Sequence, residues 1–211
     1  MATATKKAKK ARRKFSDFNA AEALKLLQVT ELFLWEIDYQ PLPPSPFFLE
    51  RLRRLKNFDL VYSQRAKELL IDAFCEEVAE QHPQLKIWKA AALQSDELTG
   101  VVDYMIAPRI AYLATPLLCV VEAKKDDFEK GMAQCLVEMK ACQWNNEQAG
   151  IHIDTLGIVT NGEGWKFYKL TAQNQAFETL LYSLSESANV LGLLHYIFGE
   201  CEKHLAVAGG Q

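Results

Sequence analysis

Glu122 and Lys124 end an otherwise apolar run, Leu117-Leu118-Cys119-Val120-Val121, and a buried strand has no reason to finish on two charges unless its end opens into a site. Successive side chains alternate across a strand, so Glu122 and Lys124 share one face about 7 Å apart, with Ala123 on the other. A carboxylate beside an ammonium suits a metal site with an activated water. The pattern is common: roughly one Glu-x-Lys triplet is expected by chance in a chain of this length. A second one, Glu138-Met139-Lys140, lies in a helical segment, where residues two apart do not face each other. Only Glu122 to Lys124 has strand context and follows an acidic residue in a preceding strand. That residue is Asp103, which interrupts Val101-Val102-Asp103-Tyr104-Met105-Ile106. A carboxylate there costs several kcal/mol to desolvate unless a cation compensates it. Pairing with a Lys or Arg, Lys124 included, would suffice. So would a divalent cation shared by Asp103 and Glu122, such as Mg²⁺, which takes a couple of carboxylates and keeps several waters. The cation would polarise a phosphoryl oxygen and acidify a water, with Lys124 orienting that water or stabilising developing charge, a constellation that fits phosphodiester hydrolysis.

The elements that must position these residues are legible from periodicity and turn chemistry. Residues 18–27 have helical spacing with Asp17 or Asn19 as cap, and the Pro-rich segment 41–46 breaks it. A short basic helix over 48–56 carries Arg51, Arg53, Arg54 and Lys56 on several faces and is read as mostly solvated. Ser63 caps a long helix to about Glu80, stopped by His82-Pro83. Strands follow at 85–93, 101–107 and 117–124, then a long helix over 127–147. Two more strands, 156–160 and 165–170, join through Asn161-Gly162, a hairpin signal, and a helix over 185–205 closes the chain. The order predicts an α/β sandwich.

With 211 residues and 49% hydrophobic content, the chain can bury one substantial core. Neither an apolar run of about 18 residues nor an apolar N-terminal signal region is present, so the expectation is a cytoplasmic protein without a membrane span. Five scattered cysteines, none in a Cys-x-x-Cys pair, read as small buried hydrophobes, and the histidines lack ligand spacing. The net charge of −3 hides an asymmetry: residues 6–14 hold seven of the 24 basic residues, leaving 17 against 27 acidic, or −10, for the rest. A basic arm on an acidic body could grip phosphates, or be a solvated tail. The expected organisation is a basic disordered tail at 1–16, a helical extension with a Pro-rich break at 17–60, an α/β domain at 61–205 and a disordered end at 206–211.

Asp103, then Glu122-Ala123-Lys124 after an apolar strand, in the order helix-strand-strand-strand-helix-strand, resembles the PD-(D/E)XK nuclease superfamily. The pattern is most similar to the N-terminal nuclease domain of type I restriction enzyme motor subunits and small stand-alone relatives. Gln134, ten residues past the lysine, Val159-Thr160-Asn161-Gly162-Glu163, and the strand Trp165-Lys166-Phe167-Tyr168 add to the likeness, which covers about residues 62–170. The resemblance implies a restriction-endonuclease-like αβββαβ core, here with an added hairpin strand, a C-terminal helix and an N-terminal helical extension. It further implies Asp103 and Glu122 as ligands of Mg²⁺ (or Mn²⁺), Lys124 as the catalytic lysine, and Gln134 lining the site. Read without it, Gln134 is a surface or partner-bonded amide. The implied partner is nucleic acid, DNA ahead of RNA, with a homodimer left open. Two positions depart from the pattern. Val102 stands where the superfamily's name has proline, and Gln64 where relatives often carry a glutamate on the first helix.

Helix phase selects a third carboxylate. At about 100° per residue, Leu70, Ala73 and Phe74 centre the apolar arc of that helix, and Glu77 falls within it while Glu68, Asp72 and Glu76 fall outside. Glu77 is therefore the preferred third metal ligand, Glu68 the alternative. A glutamate snorkelling at the helix end near His82 competes with that role.

Overall fold

A computed structural model describes residues 11–60, 62–124 and 127–209. In chain order its elements are β1 (Arg13–Lys14), α1 (Ala20–Leu27), β2 (Phe33–Leu34), α2 (Pro46–Leu55), α3 (Gln64–Ala79), β3 (Leu85–Gln94), β4 (Leu98–Pro108), β5 (Cys119–Ala123), α4 (Phe128–Gln148), β6 (Thr155–Thr160), β7 (Gly164–Leu170), β8 (Ala176–Glu178), β9 (Tyr182–Ser183) and α5 (Ser187–Gly209). The helices start where their caps dictate. Asn19 and Glu22 form a reciprocal capping box, while Ser45, Ser63 and Asp127 each accept a backbone N–H of the first turn.

The chain is a mixed α/β protein built on one mixed sheet. Strands run β1-β4-β5-β6-β7-β8-β2, with β3 pairing β4 and β9 pairing β7. The long antiparallel pair β3–β4 leads into β5, whose five residues are all buried. That burial on both faces explains why β5 reads as a continuous apolar run rather than an alternating one. The parallel pair β5–β6 needs a crossover, and α4 supplies it.

Each face of the sheet has its own core. Ile71, Phe74, Ile106, Val121, Ile158 and Phe198 pack where α3 and α5 cover one face; Leu27, Met105, Val120, Leu136, Met139 and Val159 pack where α1 and α4 cover the other. Glu122 follows Val121, so strand alternation turns it toward α4. Beyond the end of α3, His82 joins Glu202 (2.9 Å) and His195 (3.0 Å), tying that end to α5.

The N-terminal region corrects the expected organisation. Residues 1–10 lie outside the described residues, but Arg13 and Lys14 add a parallel strand to β4, and Phe15 is buried beneath Gly100, where a Cβ would sit 2.4 Å from its ring. Arg13 bonds Glu22 (2.7 Å) and lies over the Phe18 ring, and Arg12 bonds Gln94 (2.6 Å), so these basic side chains serve the fold itself. Nor does 17–60 stand apart as an extension. Phe48 of α2 packs edge-on against Phe74 of α3, which packs at a tilt against Trp165 of β7, with centroids 4.9 and 5.0 Å apart. Apolar side chains from this stretch complete both cores, so it packs as part of the same body as the rest of the described residues. The basic residues of α2 are mutually satisfied: Arg53 and Arg54 bond Glu50, and Arg51 bonds Glu76.

All five cysteines are free and buried. Among the described residues no helix is long and apolar enough to cross a membrane.

Candidate functional site

The site forms where β4 and β5 part. Their ladder runs from Ile106↔Cys119 to Tyr104↔Val121 and stops there. In place of the next rung, Asp103 Oδ2 accepts the Ala123 N–H at 2.8 Å. Strand alternation also breaks at this point. Val102 and Met105 belong to the α4-side core, and Tyr104 and Ile106 to the α3-side core. Directly across on β3, between the rungs Lys89↔Tyr104 and Ala91↔Val102, Ala90 has φ +50°, a left-handed conformation costly for a residue with a Cβ. This kink lets Asp103 face the gap between the strands, and Gln64 at the start of α3 reaches it at 3.4 Å.

Glu122 is 1% exposed. Its Oε1 receives the Lys124 ammonium, its Oε2 the Gln134 amide nitrogen at 2.9 Å, and Gln134 Oε1 accepts from Lys124 at 3.0 Å. These three side chains close a ring of hydrogen bonds. Gly131, in the first turn of α4, makes room for the ring, since a Cβ there would lie 2.9 Å from Lys124 Cγ and 2.6 Å from Val159. One turn beyond Gln134, Glu138 accepts a second bond from the same amide nitrogen at 2.9 Å. On the open side, a cleft of about 540 Å³ is lined by Gln64, Arg65, Glu68, Lys89 and Asp103.

Carboxylates crowd this gap, and burial raises their pKa values. Glu122 is pushed up to about 7, by burial first and by the Asp103 charge second, with Lys124 opposing. Asp103 is raised by burial, partly offset by the Ala123 N–H and by Lys124. Burial drives the fully enclosed Glu138 well above the carboxylate range, and the charge of Glu122 adds to it. Glu68 is raised by burial too, with Lys89 opposing and Asp103 adding. Such a field favours a cation. Two carboxylates on adjacent strands could hold only an ion that fills most of its positions with water, not one that needs a protein cage. Among the described residues, no group of three or more His, Cys, Asp or Glu is gathered closely enough to hold a metal.

The structure thus brings Asp103, Glu122, Lys124 and Gln134 together, and leaves Glu77 out. Glu77 points toward α2, accepting from Ser45 N and Ser45 Oγ, each at 2.8 Å, beside a separate groove of about 920 Å³ that Arg51 and Arg54 also line. The apolar arc of α3 is covered by α2 as well as by the sheet, and helix phase does not say which covering element an inward residue meets. Glu77 carries the α2 cap: Glu77→Ala should cost about 1–2 kcal/mol in urea unfolding, by stranding the Ser45 N–H, and leave any response of the melting temperature to Mg²⁺ as in the wild type. The alternative, Glu68, lines the cleft, held at its rim by Lys89 (3.6 Å).

Glu138 is the residue that sequence reasoning passed over. In the triplet Glu138-Met139-Lys140 the lysine, two positions on, does not share its face and bonds Gln143 and Asn174 instead. The available signal was the four-residue spacing from Gln134, which puts both side chains on one face of α4.

Compared with known proteins, the chain matches no family model and no curated protein.

Proposed function

We propose that this protein is a Mg²⁺-dependent nuclease that hydrolyses phosphodiester bonds of DNA or RNA on a restriction-endonuclease-like core. One observation carries the reading: Asp103, Glu122, Lys124 and Gln134 converge at the parting of β4 and β5. The order α3-β3-β4-β5-α4-β6, with β5 and β6 parallel, supports it. Asp103 and Glu122 would hold the magnesium ion, which when bound polarises a phosphoryl oxygen and acidifies a water. Arg65 in the cleft offers positive charge to the phosphate backbone, while Lys89 is engaged by Asp72 (2.9 Å) and Glu68 (3.6 Å). Lys124, held between Glu122 and Gln134, places its ammonium where charge develops on the reacting phosphate or orients the attacking water. Gln134 keeps that ammonium from collapsing onto Glu122 alone.

The test is incubation with single- and double-stranded DNA and RNA in Mg²⁺ or Mn²⁺. Cleavage should fall by at least about 10²-fold in Lys124→Ala and in Asp103→Asn. No cleavage of any substrate, or cleavage undiminished in Lys124→Ala, overturns the reading. A second reading, a nuclease-fold binding or assembly module without turnover, is favoured by the direct Lys124–Glu122 pairing and by the lack of a three-ligand group among the described residues. It predicts that Mg²⁺ leaves the melting temperature unchanged.

A further inference from the structure

Among the described residues, Glu138 is the one buried acidic side chain near this site to which the proposed chemistry gives no task, and its surroundings are costly for it. It is 0% exposed on α4, among Cys135, Met139 and Cys142, and its Oε2 has no hydrogen-bond partner among the described residues. A polar group is retained in such a place only if something else depends on it.

What depends on it is the direction of the Gln134 amide. A carboxamide has two N–H donors and one carbonyl. Gln134 spends all three: the nitrogen donates to Glu122 Oε2 and to Glu138 Oε1, both at 2.9 Å, and the carbonyl accepts from Lys124 at 3.0 Å. Turned over, the amide would set its carbonyl against two carboxyl groups and its NH₂ against an ammonium. With Glu138 gone, one N–H would be left buried without an acceptor, and only Glu122 would hold the nitrogen end in place.

We infer that Glu138 is a positioning residue: as second acceptor for Gln134 it sets the amide that places the Lys124 ammonium against Glu122. Its carboxyl also faces Glu122, but in this role it acts on the Lys124 ammonium through Gln134. The inference rests on the nuclease reading for its purpose but not for its geometry, so the two are tested separately.

The geometry is read in metal-free protein from the side-chain ¹⁵N–¹H₂ resonances of Gln134, assigned by their loss in Gln134→Glu. In Glu138→Leu this pair should shift toward free-glutamine positions and exchange with water at least about tenfold faster. Glu138→Gln still offers a carbonyl oxygen to the amide, so it should restore the wild-type resonances. Mn²⁺ titrations then read the purpose, with affinity expected to fall about tenfold in Glu138→Leu and to return within about threefold in Glu138→Gln. Unchanged Gln134 resonances in Glu138→Leu overturn the inference. So does a Glu138→Gln variant that fails to recover them, which also decides the matter if Glu138→Leu does not fold. If wild-type protein binds no Mn²⁺ while the Gln134 resonances respond as expected, the nuclease reading fails and the positioning of Lys124 by Glu138 stands.

Discussion

Glu122→Gln should raise the melting temperature by several degrees at pH 8 in metal-free protein and leave it unchanged below pH 4. The carboxyl of Glu122 is raised from 4.5 to about 7 in the fold, chiefly because it is buried and faces Asp103. A raised carboxyl means that the folded state holds its proton more tightly than the unfolded chain does. Between pH 4.5 and 7 the unfolded chain releases that proton first, so stability falls as pH rises through this window, by on the order of 3 kcal/mol. Glutamine mimics the neutral acid and removes the dependence. Lys124 still has Gln134 Oε1 as acceptor in the variant, so its ammonium is not stranded. Melting curves from pH 4 to 8 decide this; a variant that melts with or below the wild type at pH 8 sinks it. The same titration sets the pH dependence of the proposed metal site. Because the ligand must be ionised, Mg²⁺ should stabilise the wild type increasingly as pH rises through 7, and should do little for Glu122→Gln.

The second large effect falls on a residue with no chemistry. Gly157 lies in the middle of β6, between Val120 of β5 and Tyr168 of β7, directly under α4. A Cβ there would stand 2.4 Å from Met139 Sδ and 2.6 Å from Cys135 Sγ, both on the buried face of α4. Met139 is flexible enough to yield some room, but Cys135 Sγ, one bond from its Cβ, yields only by a χ1 change inside a packed core or by moving its helix. Gly157→Ala should therefore cost about 1–3 kcal/mol, the usual range for overpacking, and Gly157→Val more. The displaced element is the helix that carries Gln134 and Glu138. Both variants should accordingly weaken Mn²⁺ binding as well as lower the urea midpoint. A Gly157→Val protein with wild-type stability would mean that α4 does not pack this closely on β6.

These two positions also mark the boundary between local and global information. That Glu122 and Lys124 share a face, that Ser63 and Asp127 start helices, and that the cysteines lie inside are statements about backbone period, capping and hydrophobicity, and each could be read along the chain. Gly157 was visible only as a glycine in a strand. Its need for an absent side chain comes from α4, which departs from β5 before it and returns to cover β6.

The carboxylates divide in the same way. Helix phase told which residues of α3 face inward, and Glu77 does face inward, onto α2 and its Ser45 cap. Phase is a property of one helix, whereas the neighbour on each side of its arc depends on where the Pro-rich segment sends the chain beforehand. Glu68, placed outside the arc by the same phase, lies beside Asp103 because the cleft opens along that edge of the helix. Likewise, Asp103 was recognisable as a charge in an apolar strand, but its aim into the gap depends on the kink at Ala90 across the sheet. The two-residue strands β1 and β2 were too short to leave any period, and they exist because β4 and β8 offer open edges.

Read along the chain alone, this protein declares its α/β class, the strand that ends in Glu122-Ala123-Lys124, and the charges that want a partner. Only the folded chain decides who the partners are. Periodicity is set within a few residues by backbone geometry, but the field around a buried carboxylate is the sum over every element packed against it. For Glu122 that sum comes from β4, α4 and its own strand end at once.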